Sequence, residues 1–414
     1  MVNEVPRTVF LAETTPQLTA VMACLGSLNI CEAIVFFERS MSSEMKTANS
    51  LLEAARNRFP YVKFIEIEIR RHAAGKSYNG DRILSFAQRL QDIQTIREQL
   101  DEVCRANFGM SLTAFGQSLQ SVYFTALHDY VSVFLAASPP AERIFYPHGL
   151  DHPRRQHVGE YAYLVDRRSW WTLLRTLAQQ KKLFGWGGLV LGFLGRIPGR
   201  TSTICLPFTG VDRVLTFRSD IDYIPNQVTC VTGLKEIFEW LLRLPAWAGV
   251  LQARQHHVQG GSLLLLLGEC NRHPIWEENR HFGDAHLQLL QKMVQKTGLE
   301  HIVLKAHVRS DGSAAKWLAG FLKSRKPGWN IEILPQALSG LPVEALALTG
   351  EFAAAGSLGS CSLPPGLGFG MPHYTSPIAA CFFDNGWRDN PFWVKYASAT
   401  KMLIQEGICL DVDA

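Results

Sequence analysis

Apolar residues recur along this chain in two alternating rhythms. Near the N-terminus, the short apolar runs TVFLAE (8–13), AIVFFE (33–38) and VKFIEIEI (62–69) predict strands. Helical spacing separates them: TTPQLTAVMACLGSL (14–28), where Thr14 or Thr15 caps and Pro16 suits the first turn, then a polar stretch near 43–58. A long helical region is expected from about 80 to 137, after which RIFYPHG (143–149) returns to strand. The last third repeats this grammar. SLLLLLGE (262–269) reads as a fully buried parallel strand ending in Gly268, followed by a helix over 276–298 that stops at a glycine. HIVLKAH (301–307), a helix over 314–324, NIEILP (330–335), PVEALAL (342–348), EFAAAGSLGSCSL (351–363) and PIAACFF (377–383) continue the series. The pattern predicts an α/β chain of two Rossmann-like domains facing across a cleft, with ligand loops at the carboxyl ends of the strands. The expected divisions are 1–165, a less regular connecting segment 166–255, 256–386, and a C-terminal helix in 387–414 crossing back to the first domain.

With 414 residues the chain exceeds one ordinary core, which agrees with two domains. A net charge of +4 is small for this length and argues against a nucleic-acid binder. Nine cysteines without CxxC pairs read as reduced, mostly buried thiols of a cytosolic protein. No signal peptide and no transmembrane stretch is expected; the longest approach, LFGWGGLVLGFLG (183–195), is too short and glycine-rich. The segment 169–196 is basic and aromatic with no acidic residue, suited either to the surface of an anionic membrane or to packing on the neighbouring domain.

Chemistry concentrates in a few places. IVLKAHVRSDG (302–312) puts Lys305, His307 and Arg309 on alternate positions at the end of an apolar run, so a strand would turn all three to one face. Such a face suits an anion; the alternative is a solvated sheet edge. Downstream, GSLGSCSL (356–363) offers backbone N–H groups and the hydroxyls of Ser357, Ser360 and Ser362 to a phosphate, or else is a plain turn. Glu344 stands in a first helical turn behind Pro342, either complementing the helix dipole or accepting hydrogen bonds from sugar hydroxyls. His148, His152 and His157 share a histidine-rich stretch, but Gly149 and Pro153 break the helix a metal site would need, so no metal is expected.

The order K-x-H-x-R, then P-x-E, then a Gly/Ser turn resembles the donor half of bacterial sialyltransferases and alpha-2,8-polysialyltransferases of the two-Rossmann (GT-B) type. The opening VFLAETTPQLTAVMACL resembles the first strand and TP-x-QL helix start of that family, and FYPHGLDHPRR (145–155) sits where the family carries an acidic D/E-D/E-G motif. Two positions depart from the family: Val308 replaces the proline of its HP motif, and Pro147-His148 replaces its acidic pair.

The resemblance implies an inverting, metal-independent transfer of a nonulosonic acid from CMP to a glycan or glycolipid acceptor of a surface polysaccharide. In that scheme His307, Ser360 and Ser362 hold the donor phosphate, with Lys305 and Arg309 offsetting its charge and Ser357 and Gly268 in the adjoining loops. Glu344 holds the ribose. His148 or Asp151 is the base, and Thr15, Gln17, Arg154 and Arg155 face the acceptor. CMP-sialic acid is the expected donor and no cofactor is required. The expected place is the cytoplasm, at the inner membrane face if the 169–196 segment binds lipid. Alternatives are a same-fold enzyme using CMP-Kdo or a UDP-sugar, and a catalytically silent glycan-binding protein that lost its base.

Overall fold

The structure, a computed structural model, describes residues 6–39, 45–69, 86–125, 129–146, 211–216, 228–255, 261–268, 275–307, 310–358, 370–387, 396–405, 407 and 409–414. The chain divides into two units, Met1–Ser42 with Leu51–Leu234 and Ser43–Ser50 with Lys235–Ala414.

In the first unit seven strands form one sheet: β1 (Thr8–Ala12), β2 (Ala33–Glu38), β3 (Val62–Ile67), β4 (Ser121–Phe124), β5 (Glu142–Phe145), β6 (Arg213–Thr216) and β7 (Val228–Cys230). Their order is β3-β2-β1-β4-β5-β6-β7 and every neighbouring pair is parallel. Parallel neighbours need crossovers, and α1 (Thr15–Ser27), α2 (Met45–Arg58), α3 (Phe86–Phe108), α4 (Leu112–Ser118) and α5 (Asp129–Ala137) lie between the strands in sequence. All of β2 is buried, as expected for a sheet covered on both faces. On one face Val9, Leu11, Ile34, Phe36, Val122 and Phe124 pack with Ile96, Leu100, Phe115 and Phe134 of α3–α5. At an intervening position, Phe10 stacks on Tyr123 at 4.2 Å.

Strand β4 corrects the expectation of unbroken helix from about 80 to 137. Its sequence SVYF is a short apolar run with no periodicity of its own, and pairing to β1 and β5 decides its state. The connecting segment 166–255 is likewise more regular than expected where it is described. It supplies β6 and β7 to the first sheet, then α6 (Leu234–Leu242) and α7 (Pro245–Gln255).

The second unit holds β8 (Ser262–Leu266), β9 (His301–Lys305), β10 (Asn330–Ile333), β11 (Phe352–Ser357), β12 (His373–Thr375) and β13 (Leu410–Asp411) in the order β10-β9-β8-β11-β12-β13, all parallel. Counted within the unit this is 3-2-1-4-5-6, and the first sheet begins with the same order. That is the doubly wound arrangement. The crossing helices are α8 (Phe282–Thr297), closed by Gly298 at φ 73°, α9 (Ser313–Arg325), the short α10 (Gln336–Ser339) and α11 (Val343–Ala347), then α12 (Pro377–Asp384) and α13 (Tyr396–Gln405). Leu263, Leu265, Ile302, Leu304 and Ala354 pack one face of the sheet against α8 and α9 through Leu289, Met293, Leu318 and Leu322.

Lys235–Ala414, the C-terminal helix included, falls in this second unit. Helix α13 packs on α12, and β13 joins the sheet edge beside β12. Asp413 accepts hydrogen bonds from Ser376 and the Ile378 N–H at the start of α12, and Lys292 of α8 pairs with it. None of the described cysteines forms a disulfide; Cys24, Cys104 and Cys409 are buried, whereas Cys31, Cys230 and Cys381 are exposed. No described helix is long and apolar enough to cross a membrane.

Candidate functional site

Strand order in the second sheet reverses between β8 and β11, and ligands of open α/β sheets bind at the carboxyl ends of strands beside such a switch. The register fixes which residues stand there. Leu266 of β8 is level with Lys305 of β9 on one side and with Ser357 of β11 on the other. The lysine tip and the serine tip therefore share one edge, two strands or roughly 10 Å apart by ordinary strand spacing.

Lys305 is the last residue of β9, and its ammonium is buried. Nζ donates to the carbonyl of Ser339, at the end of α10, over 2.5 Å. The strand stops at Lys305. His307 follows beyond it, half-buried, its carbonyl accepting the Ser310 N–H at 2.8 Å. Arg309, and Val308 before it, lie outside the described residues.

Glu344 occupies the first turn of α11, after Pro342, and is buried. Burial pushes its carboxyl up to about 7, while its own backbone N–H and the charge of Lys305 hold the rise in check. The charge of Lys305, from the motif 39 positions earlier in the chain, thus acts on the glutamate of the next. A carboxyl poised near neutrality beside a strand tip suits the acceptance of hydroxyl hydrogen bonds, and perturbed groups of this kind mark functional sites more often than chance.

The Gly/Ser turn is put to other uses where it is described. Ser357 is buried; its hydroxyl bonds Nε2 of His373 at 2.9 Å and its carbonyl accepts from Thr375 Oγ1 at 2.7 Å. Ser357 therefore faces His373. Gly356 is small because α8 crosses there: a Cβ would fall 2.3 Å from the sulfur of Met293. Gly268 similarly admits the Tyr396 hydroxyl, 3.3 Å from where a Cβ would stand. Ser360 and Ser362 lie outside the described residues.

In the first unit, Thr15 and Gln17 are buried within the start of α1. Thr14 caps the helix by accepting the Gln17 N–H, Gln17 Oε1 accepts the Glu13 N–H at 2.6 Å, and the Thr15 carbonyl accepts from Thr19 Oγ1 at 3.0 Å. These bonds serve the strand-to-helix turn, a reciprocal cap of the kind that organises helix starts. His148, Asp151, Arg154 and Arg155, the neighbouring His152 and His157, and the 169–196 segment all fall outside the described residues.

Two buried carboxylates here escaped sequence reasoning. Glu13 and Glu38 directly follow Ala12 and Phe37, the last register pair of β1 and β2. Their signal was legible, since TVFLAE and AIVFFE both end in glutamate. Tyr146 and Tyr130 fix the same tip by donating to the carbonyls of Leu11 (2.6 Å) and Ala12 (3.1 Å).

The amino edge of the second sheet is polar for a different reason. Arg254, buried at the end of α7, pairs through Nε with Glu351 and through both terminal nitrogens with Glu332. His301 Nε2 meets Glu332 at 3.4 Å, and His301 Nδ1 lies 3.3 Å from Ser262 Oγ. Burial raises the Glu351 carboxyl and Arg254 opposes that rise. This cluster joins α7 to four strands at the end away from the switch point, as a structural tie. Among the described residues no group of three or more His, Cys, Asp or Glu gathers where it could hold a metal ion.

No protein-family model matches the sequence, and no curated protein matches it. Solved structures do. A glycosyltransferase from Rickettsia africae ESF-5 is 10% identical, with 98% of this chain and 95% of that one covered at a TM-score of 0.39. Os79 from O. sativa, solved in complex with UDP, is 10% identical over 98% of this chain and 86% of that one, with a TM-score of 0.48. MurG of Acinetobacter baumannii is 8% identical over 97% and 90%, with a TM-score of 0.34. All three scores lie below 0.5, so these likenesses decide neither donor nor chemistry.

Proposed function

We propose that this chain is a glycosyltransferase that binds a nucleotide sugar at the carboxyl edge of the second sheet, and that it moves a nonulosonic acid from CMP to a glycan hydroxyl with inversion. The observation that carries this reading is Lys305 at the carboxyl tip of β9, bonded to Ser339 at the corner that leads into the helix of Glu344, beside the β8/β11 switch. Doubly wound sheets receive nucleotides at this place, and a carboxylate there suits ribose hydroxyls as donors.

The chemistry is a single displacement. An acceptor hydroxyl oxygen attacks the anomeric carbon as the bond from that carbon to the CMP phosphate oxygen breaks. The hydroxyl proton passes to a base, for which His148 and Asp151 are the candidates from sequence. His307 donates a hydrogen bond or a proton to the departing phosphate. A preorganised donor aimed at the oxygen where charge develops is worth roughly 3–4 kcal/mol of barrier. No step in this scheme draws on a metal ion.

Thermal-shift measurements with CMP, UDP and GDP test the reading, because a ligand that binds only the folded chain raises its melting temperature. CMP is expected to give the largest rise. A larger rise with UDP would assign a UDP-sugar donor, and no rise with any of the three would remove the nucleotide site.

A further inference from the structure

We propose that Lys305 is a positioning residue rather than a phosphate ligand: it ties the tip of β9 to the corner between α10 and α11 that carries Glu344, so that its effect is felt at the ribose. This deepens the proposed nucleotide site and rests on it.

Geometry carries the inference. The Lys305 ammonium is buried and spends a hydrogen bond on the Ser339 carbonyl. A cation that meets a phosphate from solvent ordinarily stands at the surface; this one is buried and donates to a backbone carbonyl. Helices α10 and α11 have 4 and 5 residues, too few to hold their own shape in water. The corner between them is fixed instead by the burial of Leu338, Leu341 and Val343 and by the bond from Lys305. Glu344 rides on that corner. A positive charge near a buried carboxyl favours its ionised form, and Lys305 acts on Glu344 in that direction.

The groups acting on Glu344 are few among the described residues. From β9 comes the positive charge of Lys305, and from α11 the backbone N–H of Glu344 itself; Ser339 on α10 is neutral. His307 continues the chain beyond β9. With the carboxyl raised to about 7 by burial, removal of Lys305 moves its ionisation to higher pH.

The experiment uses the full chain and its Lys305→Met, Glu344→Gln and double variants. Calorimetry measures affinity for CMP and for cytidine (and for UDP and uridine) between pH 6 and 8.5. Lys305→Met is expected to weaken nucleotide and nucleoside by the same factor, about tenfold, and to shift the binding midpoint upward in pH. A loss confined to CMP, with cytidine unchanged, would make Lys305 a phosphate ligand and overturn the proposal.

If Lys305→Met unfolds, the double variant is expected to recover part of the lost melting temperature, since no carboxylate is then buried alone; no recovery overturns the link. If the wild type binds neither nucleotides nor nucleosides, the nucleotide site itself fails. The Lys305–Glu344 link is then still read from melting temperature against pH. Identical profiles for wild type and Lys305→Met would refute it.

Discussion

Glu344 feels two opposed influences, burial that favours its neutral form and a lysine that favours its charge. Burial is the stronger, so the carboxyl is pushed up to about 7 in the folded chain from an ordinary 4.5. The sign for stability follows. Between those values the folded chain holds a proton that the unfolded chain has lost, so stability falls as pH rises through the window. Replacing Glu344 with Gln removes that slope. The melting temperature of Glu344→Gln, measured against wild type from pH 4.5 to 8, is expected to climb by several degrees; parallel curves would contradict the assigned titration. His307→Ala makes a separate prediction, a drop in transfer of about a hundredfold or more with an unchanged far-UV spectrum. Near-normal turnover would remove His307 from the scheme. At this scale the sequence was informative where a motif is local. Proline before Glu344 marks a helix start, and Lys305 closes an apolar run. It was uninformative about Ser357, because composition cannot tell which neighbour a hydroxyl will face, and His373 stands sixteen positions downstream.

Elements show how packing uses residues that look chemical. Gly356 reads as part of a phosphate loop, yet it packs against Met293 of α8, whose flexible thioether would have to shift for a Cβ. Gly356→Ala is expected to cost about 1–3 kcal/mol in urea unfolding, as overpacking does, and Met293→Ala in that background to return part of it. Indifference to the added methyl would mean that α8 sits farther off. The tie of α7 to the sheet makes a stronger demand. Arg254→Met leaves the Glu351 carboxylate buried beside Glu332 with no guanidinium, and a loss of about 3–5 kcal/mol is expected. Arg254→Met with Glu351→Gln should lose less, and an equal or larger loss would show that the arginine acts through packing alone. Neither the tie nor β4 was visible in advance. Arg254 meets partners 78 and 97 positions away, and SVYF becomes a strand only because β1 and β5 flank it.

At the scale of the whole molecule, repetition was the readable feature. Two series of apolar runs and helices gave two α/β units, and each forms a parallel sheet that begins in the order 3-2-1-4. The divisions were less readable, because β6 and β7 are short strands that follow a long stretch without clear rhythm, and because the last helix and β13 return to their own sheet through Asp413. The doubly wound order is what gives the carboxyl edge of the second sheet its meaning, by setting β9, β8 and β11 side by side with Lys305 and Ser357 level across Leu266. The most direct test of a nucleotide site at that edge is calorimetric titration of CMP into the wild-type chain and into Glu344→Ala. The account predicts saturable one-to-one binding to the wild type, weakened at least tenfold by the substitution. Equal affinity for both proteins, or no binding heat with CMP or UDP, would contradict it.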